Sequence, residues 1–400
     1  MAKKTNKTVN GYEYYRTRRT IGKDAEGKPI IKDFYGLSKK EADSKAQEFL
    51  DNINRGMNND FKNKNIEELV STWLYEIKLY DSSFKPRSFE KYEGIYRNYI
   101  KDSEIAYLKV FTCKTINIQQ YYNKLSEEGK TESQIKNLNK VLKGAFNYAV
   151  QEGYSQNNPC TFISIPKKET DEFDEVDNDD DDDYFELEDI EKIISECNKR
   201  IQNKDTDYLP YLILFSIACG LRQGEALGLQ KKYLKDYVVC VKKELCKVKK
   251  FKGRECVGYE YKLITPKTPT SIRDLDVATY AFNIIQEYIK NIVIENYKNN
   301  NLEFNNKSLI FVTNLCTIID QSNLRKKWER FLKDINVEFK KWHALRSACA
   351  SLLFLCGADI KTVQEYLGHA DINTTTKYYL RVFPQTKKNA VNRLNEKLIG

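Results

Sequence analysis

Histidine is almost missing from this chain: only His343 and His369 occur in 400 residues, both close to the C-terminus. With no His-Glu-x-x-His anywhere, a helix-borne zinc hydrolase site is excluded. Ten cysteines are scattered without a single Cys-x-x-Cys. That argues against a zinc ribbon and against an extracellular disulfide scaffold, and predicts reduced, core-filling thiols in a bacterial cytosol. The longest apolar run, 211–221, is broken by Ser216 and falls short of the roughly 20 residues that span a bilayer. The N-terminus is basic, with Lys3, Lys4 and Lys7, but lacks the apolar core of a signal peptide. A cytoplasmic location without a membrane partner follows. Nucleotide binding is poorly served too. Gly129-Lys130-Thr131 ends like a phosphate-binding loop, yet Lys124 stands where that loop needs glycine. No cofactor and no metal is expected.

Charge, by contrast, is abundant and unevenly spread. Lys and Arg number 66 against 57 Asp and Glu, a net +9. Between Asp171 and Asp189 lie thirteen acids and no base, so the rest of the chain carries +22. Such separated blocks suggest an acidic linker tethered to domains that meet a polyanion. The length suggests two or three domains, and 41% apolar with 12% aromatic residues rules out wholesale disorder.

Residues 10–36 alternate and turn, which predicts two or three short strands in a small antiparallel sheet. Ser38 then caps a helix, with Glu41 completing a capping box. Its apolar face is Ala42, Ala46, Phe49, Leu50 and Ile53, and it stops near Gly56. Arg16, Arg18 and Arg19 lie on the sheet as candidate DNA contacts, the alternative being a solvated basic face. A second unit, 64–165, reads as four helices: one from Ile66, then 86–100, 116–125 and 132–150. Lys85, Arg87 and Lys91, at the start of the basic second helix, are further DNA-binding candidates. The unit ends at Asn157-Asn158-Pro159. Five consecutive Asp in the next stretch repel one another and make a flexible spacer; mimicry of a phosphate backbone is the alternative. A calcium loop is disfavoured, because the glycine and terminal glutamate of such a site are lacking. From 186 onward a mostly helical third unit carries strands at 237–250, 259–264 and 271–277. Helices are expected at 280–296, 323–334, 343–356 and 360–367. Segment 241–273 holds ten basic and three acidic residues, a strongly positive ribbon.

Four places carry chemistry. His343-Ala-Leu-Arg346 puts an imidazole and a guanidinium on one face of a helix start. His369 follows Leu367-Gly368, where glycine is the expected helix end, and should face a cleft; an isolated His is otherwise a core or surface residue. Arg222 and Glu225 open a helix after an apolar run that breaks at Gly220. A charged pair there is partly buried and needs a partner; Arg222 offers a fork to a phosphate, the alternative being a structural ion pair. Lys267 lies on the turn leaving the ribbon, and Tyr378 and Tyr379 follow Thr374-Thr375-Thr376-Lys377.

In this order and spacing, Arg222, Lys267, His343-x-x-Arg346, Leu367-Gly368-His369 and Tyr379 resemble the tyrosine recombinase (phage and conjugative-transposon integrase) family. The similarity spans the chain: 1–62 resembles an arm-site DNA-binding domain, 63–165 a helical core-type DNA-binding domain, 166–185 is the acidic linker, and 186–400 resembles the catalytic domain. The fold implied is multidomain and mainly α. It comprises a small N-terminal sheet plus helix, a helical domain, and an α+β catalytic domain. The nucleophile of the family falls nine or ten residues after the Leu-Gly-His histidine, which fits Tyr378 and Tyr379 alike. Tyr379 lies four residues after Thr375, and Val382 follows three later, so on this spacing Tyr379 is taken as the nucleophile.

The resemblance implies a site-specific recombinase that integrates and excises a mobile element through a 3′-phosphotyrosyl intermediate. Arg222 and Arg346 stabilise the transition-state charge, with His343 and His369 donating to the same oxygens. His343 takes the phenol proton and Lys267 protonates the leaving 5′ oxygen. Because bond energy is conserved, neither ATP nor metal is needed. Its partners are double-stranded DNA at core and arm sites and three further copies of the chain in a synaptic homotetramer, with an excision factor or host DNA-bending protein as candidate accessories. DNA would be clamped between 63–165 and the catalytic domain, with Val391, Leu394 and Leu398 as an exchanged apolar stripe. The rival readings are a resolvase or invertase of the same family, a metal-dependent transposase, and a non-catalytic regulator using 343–367 as a helix-turn-helix.

Overall fold

The computed structural model describes residues 7–9, 12–23, 28–54, 64–166, 184–266 and 269–383. The chain divides into two compact units, one of Met1–Asp171 with Val248–Gly258, the other of Glu172–Lys247 with Tyr259–Gly400.

The first unit opens with β1 (Lys7–Val9), β2 (Tyr12–Lys23) and β3 (Pro29–Gly36), an antiparallel sheet in that order. Helix α1 (Lys39–Asn54) packs on it; its Ala42 and Ala46 are fully buried, and the Phe34 ring of β3 meets Phe49 at 5.1 Å. The Ser38 hydroxyl accepts from the Glu41 N–H, but the Glu41 carboxylate accepts from Leu37 N–H, one residue earlier than a capping box requires. Gly56 lies outside the described residues.

Next come α2 (Ile66–Thr72), α3 (Pro86–Ile95), α4 (Thr115–Glu127) and α5 (Glu132–Gln151). Both α2 and α3 run on through a wider π turn, to Lys78 and Ile100. Capping boxes start α2 at Asn65 and α5 at Thr131. The apolar stripe of α5 packs on Leu69, Val70 and Leu74 of the first helix. Helix approach is close enough that a side chain at Gly144 would strike the Trp73 ring at 2.7 Å.

A two-stranded hairpin, β6 (Glu244–Lys252) and β7 (Glu255–Ile264), contributes its tip to this unit. There Val248 is buried and the Phe251 ring meets Phe89 and Tyr75 at 5.1 and 6.2 Å. Lys249 Nζ pairs with the buried Glu93 carboxylate at 3.0 Å, and Arg254 with Glu76 at 2.9 Å. Expectation and structure differ over 237–250: it is two strands in two sheets. β4 (Leu234–Lys235), β5 (Val238–Val241) and β8 (Arg273–Asp276) form one three-stranded sheet. The break falls at Lys242-Lys243, between β5 and β6.

The helices of the second unit enclose a large core and a smaller one. These helices are α6 (Leu187–Gln202), α7 (Tyr208–Cys219), α8 (Gln223–Leu227), α9 (Thr279–Tyr288), α10 (Ile294–Asn299), α11 (Gln321–Asp334), α12 (Ala344–Leu355), α13 (Ile360–Leu367) and α14 (Ile372–Val382); α12, α13 and α14 share the smaller core. Helix α7 is apolar all round and buried along nearly its whole length, as a central helix should be. Trp328 and Phe311 lie in the same large core, Phe311 meeting Phe215 of α7 at 6.1 Å. Among the described residues no helix is long and apolar enough to cross a membrane.

Candidate active site

Two left-handed glycines shape the site. Gly220 (φ 57°) ends α7, and Gly368 (φ 69°) ends α13. Neither has room for a side chain: a Cβ on Gly220 would meet Leu367 Cδ2 at 2.3 Å, and one on Gly368 the Thr270 carbonyl at 2.6 Å. The two helix ends are therefore pressed together, and their carbonyls point at one group. Arg346, on the first turn of α12 and 1% exposed, donates from Nη1 to Gly220 O at 2.8 Å and from Nη2 to Leu367 O at 2.5 Å. Its Nε donates to His369 Nε2 at 3.3 Å. Its hydrogen-bond partners among the described residues are all neutral. Burial, with Arg222 and Arg273 nearby, pushes its pKa down to about 9, which leaves the group charged at neutral pH.

Arg222, the N-cap of α8, has a side chain one-third exposed. It donates from Nη1 to Glu225 Oε1 at 2.7 Å and to Ser271 Oγ at 3.3 Å. Glu225 is 2% exposed. Burial alone would raise its pKa, but Arg273 and Arg222 outweigh that and hold it below the ordinary carboxylate value. Arg273, which the sequence reading passed over as one cation of the basic ribbon, is the second partner of this carboxylate, at 3.2 Å. Three guanidiniums thus gather around one carboxylate, and such a surplus of buried positive charge favours a bound anion.

His369 does not face a cleft, contrary to expectation. The Gly368 turn directs it inward, 8% exposed, where Nδ1 lies 2.8 Å from the buried Thr375 hydroxyl on α14. Since Arg346 donates to Nε2, the network assigns the proton to Nδ1. Burial first, then the neighbouring guanidiniums, lowers its pKa from 6.5 to about 3. An unfolded chain takes up that proton earlier than the folded one, so stability is lost as pH falls below the unfolded value. Urea unfolding should show a loss of roughly 1.4 kcal/mol per unit between pH about 6.5 and 5. His369→Asn is expected to flatten that slope; an unchanged slope would remove His369 as its source. His343 is exposed at the N-cap of α12.

The two tyrosines diverge. The Tyr378 ring lies 6.1 Å from the His369 ring. Tyr379, the residue the spacing favours, packs edge-on against Phe354 at 5.2 Å and against Phe383 at 5.2 Å. Lys267 lies outside the described residues, as do Val391, Leu394 and Leu398. The DNA-contact candidates are largely engaged. Arg16 and Arg18 both pair with Asp33, and Arg19 with Asp43. Lys91 donates to Asn137, while Arg87 is exposed on α3 and Lys85 is its half-buried N-cap. Among the described residues no three His, Cys, Asp or Glu side chains converge to hold a metal.

Residues 183–386 match the model of the phage integrase family. A tyrosine recombinase XerC-like protein of Caldanaerobacter subterraneus subsp. tengcongensis is 41% identical over 407 residues, covering 100% of both chains. The integrase of Staphylococcus phage L54a is 25% identical, covering 87% of this chain and 97% of that one. Among solved structures, the Tn1549 transposon integrase in complex with a circular intermediate DNA shares the fold, with TM-score 0.58 and 19% identity over 83% of this chain and 99% of that one. Family model and full-length relative agree with the clustered arginines: the chain belongs to the phage integrase family and is a tyrosine site-specific recombinase, which cleaves and rejoins DNA.

Proposed function

We propose that Arg222, Arg346, His343, His369, Lys267 and a tyrosine of α14 are the cleavage machinery, acting on double-stranded DNA to integrate and excise a mobile element. The observation that carries this reading is the buried, charged Arg346, whose partners are neutral and which shares its surroundings with Arg222. A phosphodiester supplies the missing anion. In the transition state its non-bridging oxygens gain charge, and fixed guanidiniums stabilise it without reorganising.

The phenol oxygen attacks phosphorus as its proton passes to His343; a free phenol, with pKa near about 10, needs that help. The P–O5′ bond breaks, Lys267 protonates the departing oxygen, and a 3′-phosphotyrosine remains. Attack by the 5′ hydroxyl of another strand reverses each step, so bond energy is conserved. His369 orients Arg346 through Nε2 and couples it to α14 through Thr375, a positioning role before any donation to phosphate. Between the two tyrosines, proximity to His369 supports Tyr378 and the Thr-Thr spacing supports Tyr379.

Four copies acting at synapsis, separate core and arm sites, and an excision or DNA-bending accessory complete the proposal. A resolvase or invertase role within the family is the alternative. The test is covalent trapping in EDTA on a nicked duplex bearing the element's end, resolved on a denaturing gel. A protein–DNA adduct is expected; none on any cognate end would sink the reading.

A further inference from the structure

Arg273 opens β8, and its side chain is 7% exposed. It meets three other places in the site. Nη2 donates to Glu225 Oε2 at 3.2 Å, Nη1 to the Ser271 carbonyl at 3.1 Å, and Nε to the Tyr366 carbonyl at 2.9 Å. Its Cδ would stand 3.0 Å from a Cβ on Gly368, so it also braces the turn that carries His369.

The Glu225 carboxylate is contested. Oε1 accepts from Arg222 Nη1 at 2.7 Å, and Oε2 from the Arg222 N–H at 3.0 Å. An Arg222 that turns its Nη1 onto a phosphate leaves Glu225 Oε1 without that donor, which a buried anion permits only while it keeps another cation.

We propose that Arg273 is a positioning residue for strand cleavage: it holds Glu225 so that Arg222 can turn to the phosphate, and it fixes the Tyr366–His369 turn through the Tyr366 carbonyl. The proposal rests on Arg222 being the phosphate ligand. Without Arg273, Glu225 keeps Arg222 for itself and becomes an internal competitor of the substrate.

The two roles separate in one experiment. Single-turnover cleavage of the nicked duplex at saturating DNA is measured for wild type, Arg273→Ala, and Arg273→Ala combined with Glu225→Gln, with DNA affinity and thermal unfolding alongside. Arg273→Ala is expected to slow cleavage about 100-fold while affinity changes by less than about threefold. Adding Glu225→Gln removes the competitor and should restore about tenfold. A merely structural Arg273 predicts the reverse, a double variant slower than the single one. That order, or an Arg273→Ala rate within about threefold of wild type, overturns the proposal.

If Arg273→Ala does not fold, Arg273→Gln takes its place. An amide can still donate to the Tyr366 carbonyl but gives Glu225 no cation. Slower cleavage, raised by Glu225→Gln, supports the proposal, and a wild-type rate or a slower double variant overturns it. An adduct formed by wild type keeps the functional reading in force whatever Arg273 does; no wild-type adduct removes that reading and this proposal with it.

Discussion

Tyr379→Phe is expected to abolish the covalent protein–DNA adduct, while Tyr378→Phe leaves it in place at a reduced rate. The expectation rests on spacing: Tyr379 lies four residues after Thr375, with Val382 three further on. Tyr378 presents its ring to His369 at 6.1 Å, whereas Tyr379 sits in an apolar cluster between Phe354 and Phe383. Phenylalanine preserves that packing, so Tyr379→Phe should cost little stability; it loses one hydroxyl and no ring contact. Trapping both variants on the same nicked duplex decides between them. An adduct that survives Tyr379→Phe and disappears with Tyr378→Phe would move the nucleophile to the residue beside His369.

The second large effect is expected at Arg346. Arg346→Lys should slow single-turnover cleavage by roughly 10²–10³ at saturating DNA, although charge is retained. The guanidinium serves three acceptors at once, the carbonyls of Gly220 and Leu367 and the ring of His369. A lysine ammonium on its flexible stem cannot reproduce that planar fork, and the buried carbonyl left over loses its donor at about 1–3 kcal/mol. Rapid-quench measurement of the first cleavage event reads the effect directly. A rate within about tenfold of wild type would show that Arg346 supplies charge and not geometry.

The parts of this molecule that were legible in its sequence share one property: they are local. Helix α5 announced itself by an apolar residue at every turn, and Gly220 and Gly368 marked helix ends that the left-handed φ values bear out. What stayed hidden depends on distant partners. Arg273 looked like one cation among the many of the ribbon, because its meaning lies 48 residues away in Glu225 and 93 away in Tyr366. Helix α14 was not foreseen. Its run Asn373-Thr374-Thr375-Thr376 favours extended chain over helix, yet Asp371 caps it and burial of Thr375 against His369 holds it. The inward turn of His369 was missed for the same reason: a glycine tells where a helix stops and not which way the next residue looks.

The hairpin tip Val248–Gly258 has a consequence for how the chain may be cut. A boundary drawn through the acidic stretch separates residues that follow one another in sequence, but not residues that share a core. Glu93, 6% exposed on α3, draws its ammonium partner from Lys249, and Phe89 and Tyr75 draw a ring from Phe251. A fragment ending at 166 would retain Glu93 with Arg97 as its remaining cation and an apolar patch stripped of its cover. In this protein the helical unit is completed by a segment that starts 97 residues beyond the end of its last helix, Gln151 to Val248, and so is synthesised well after it.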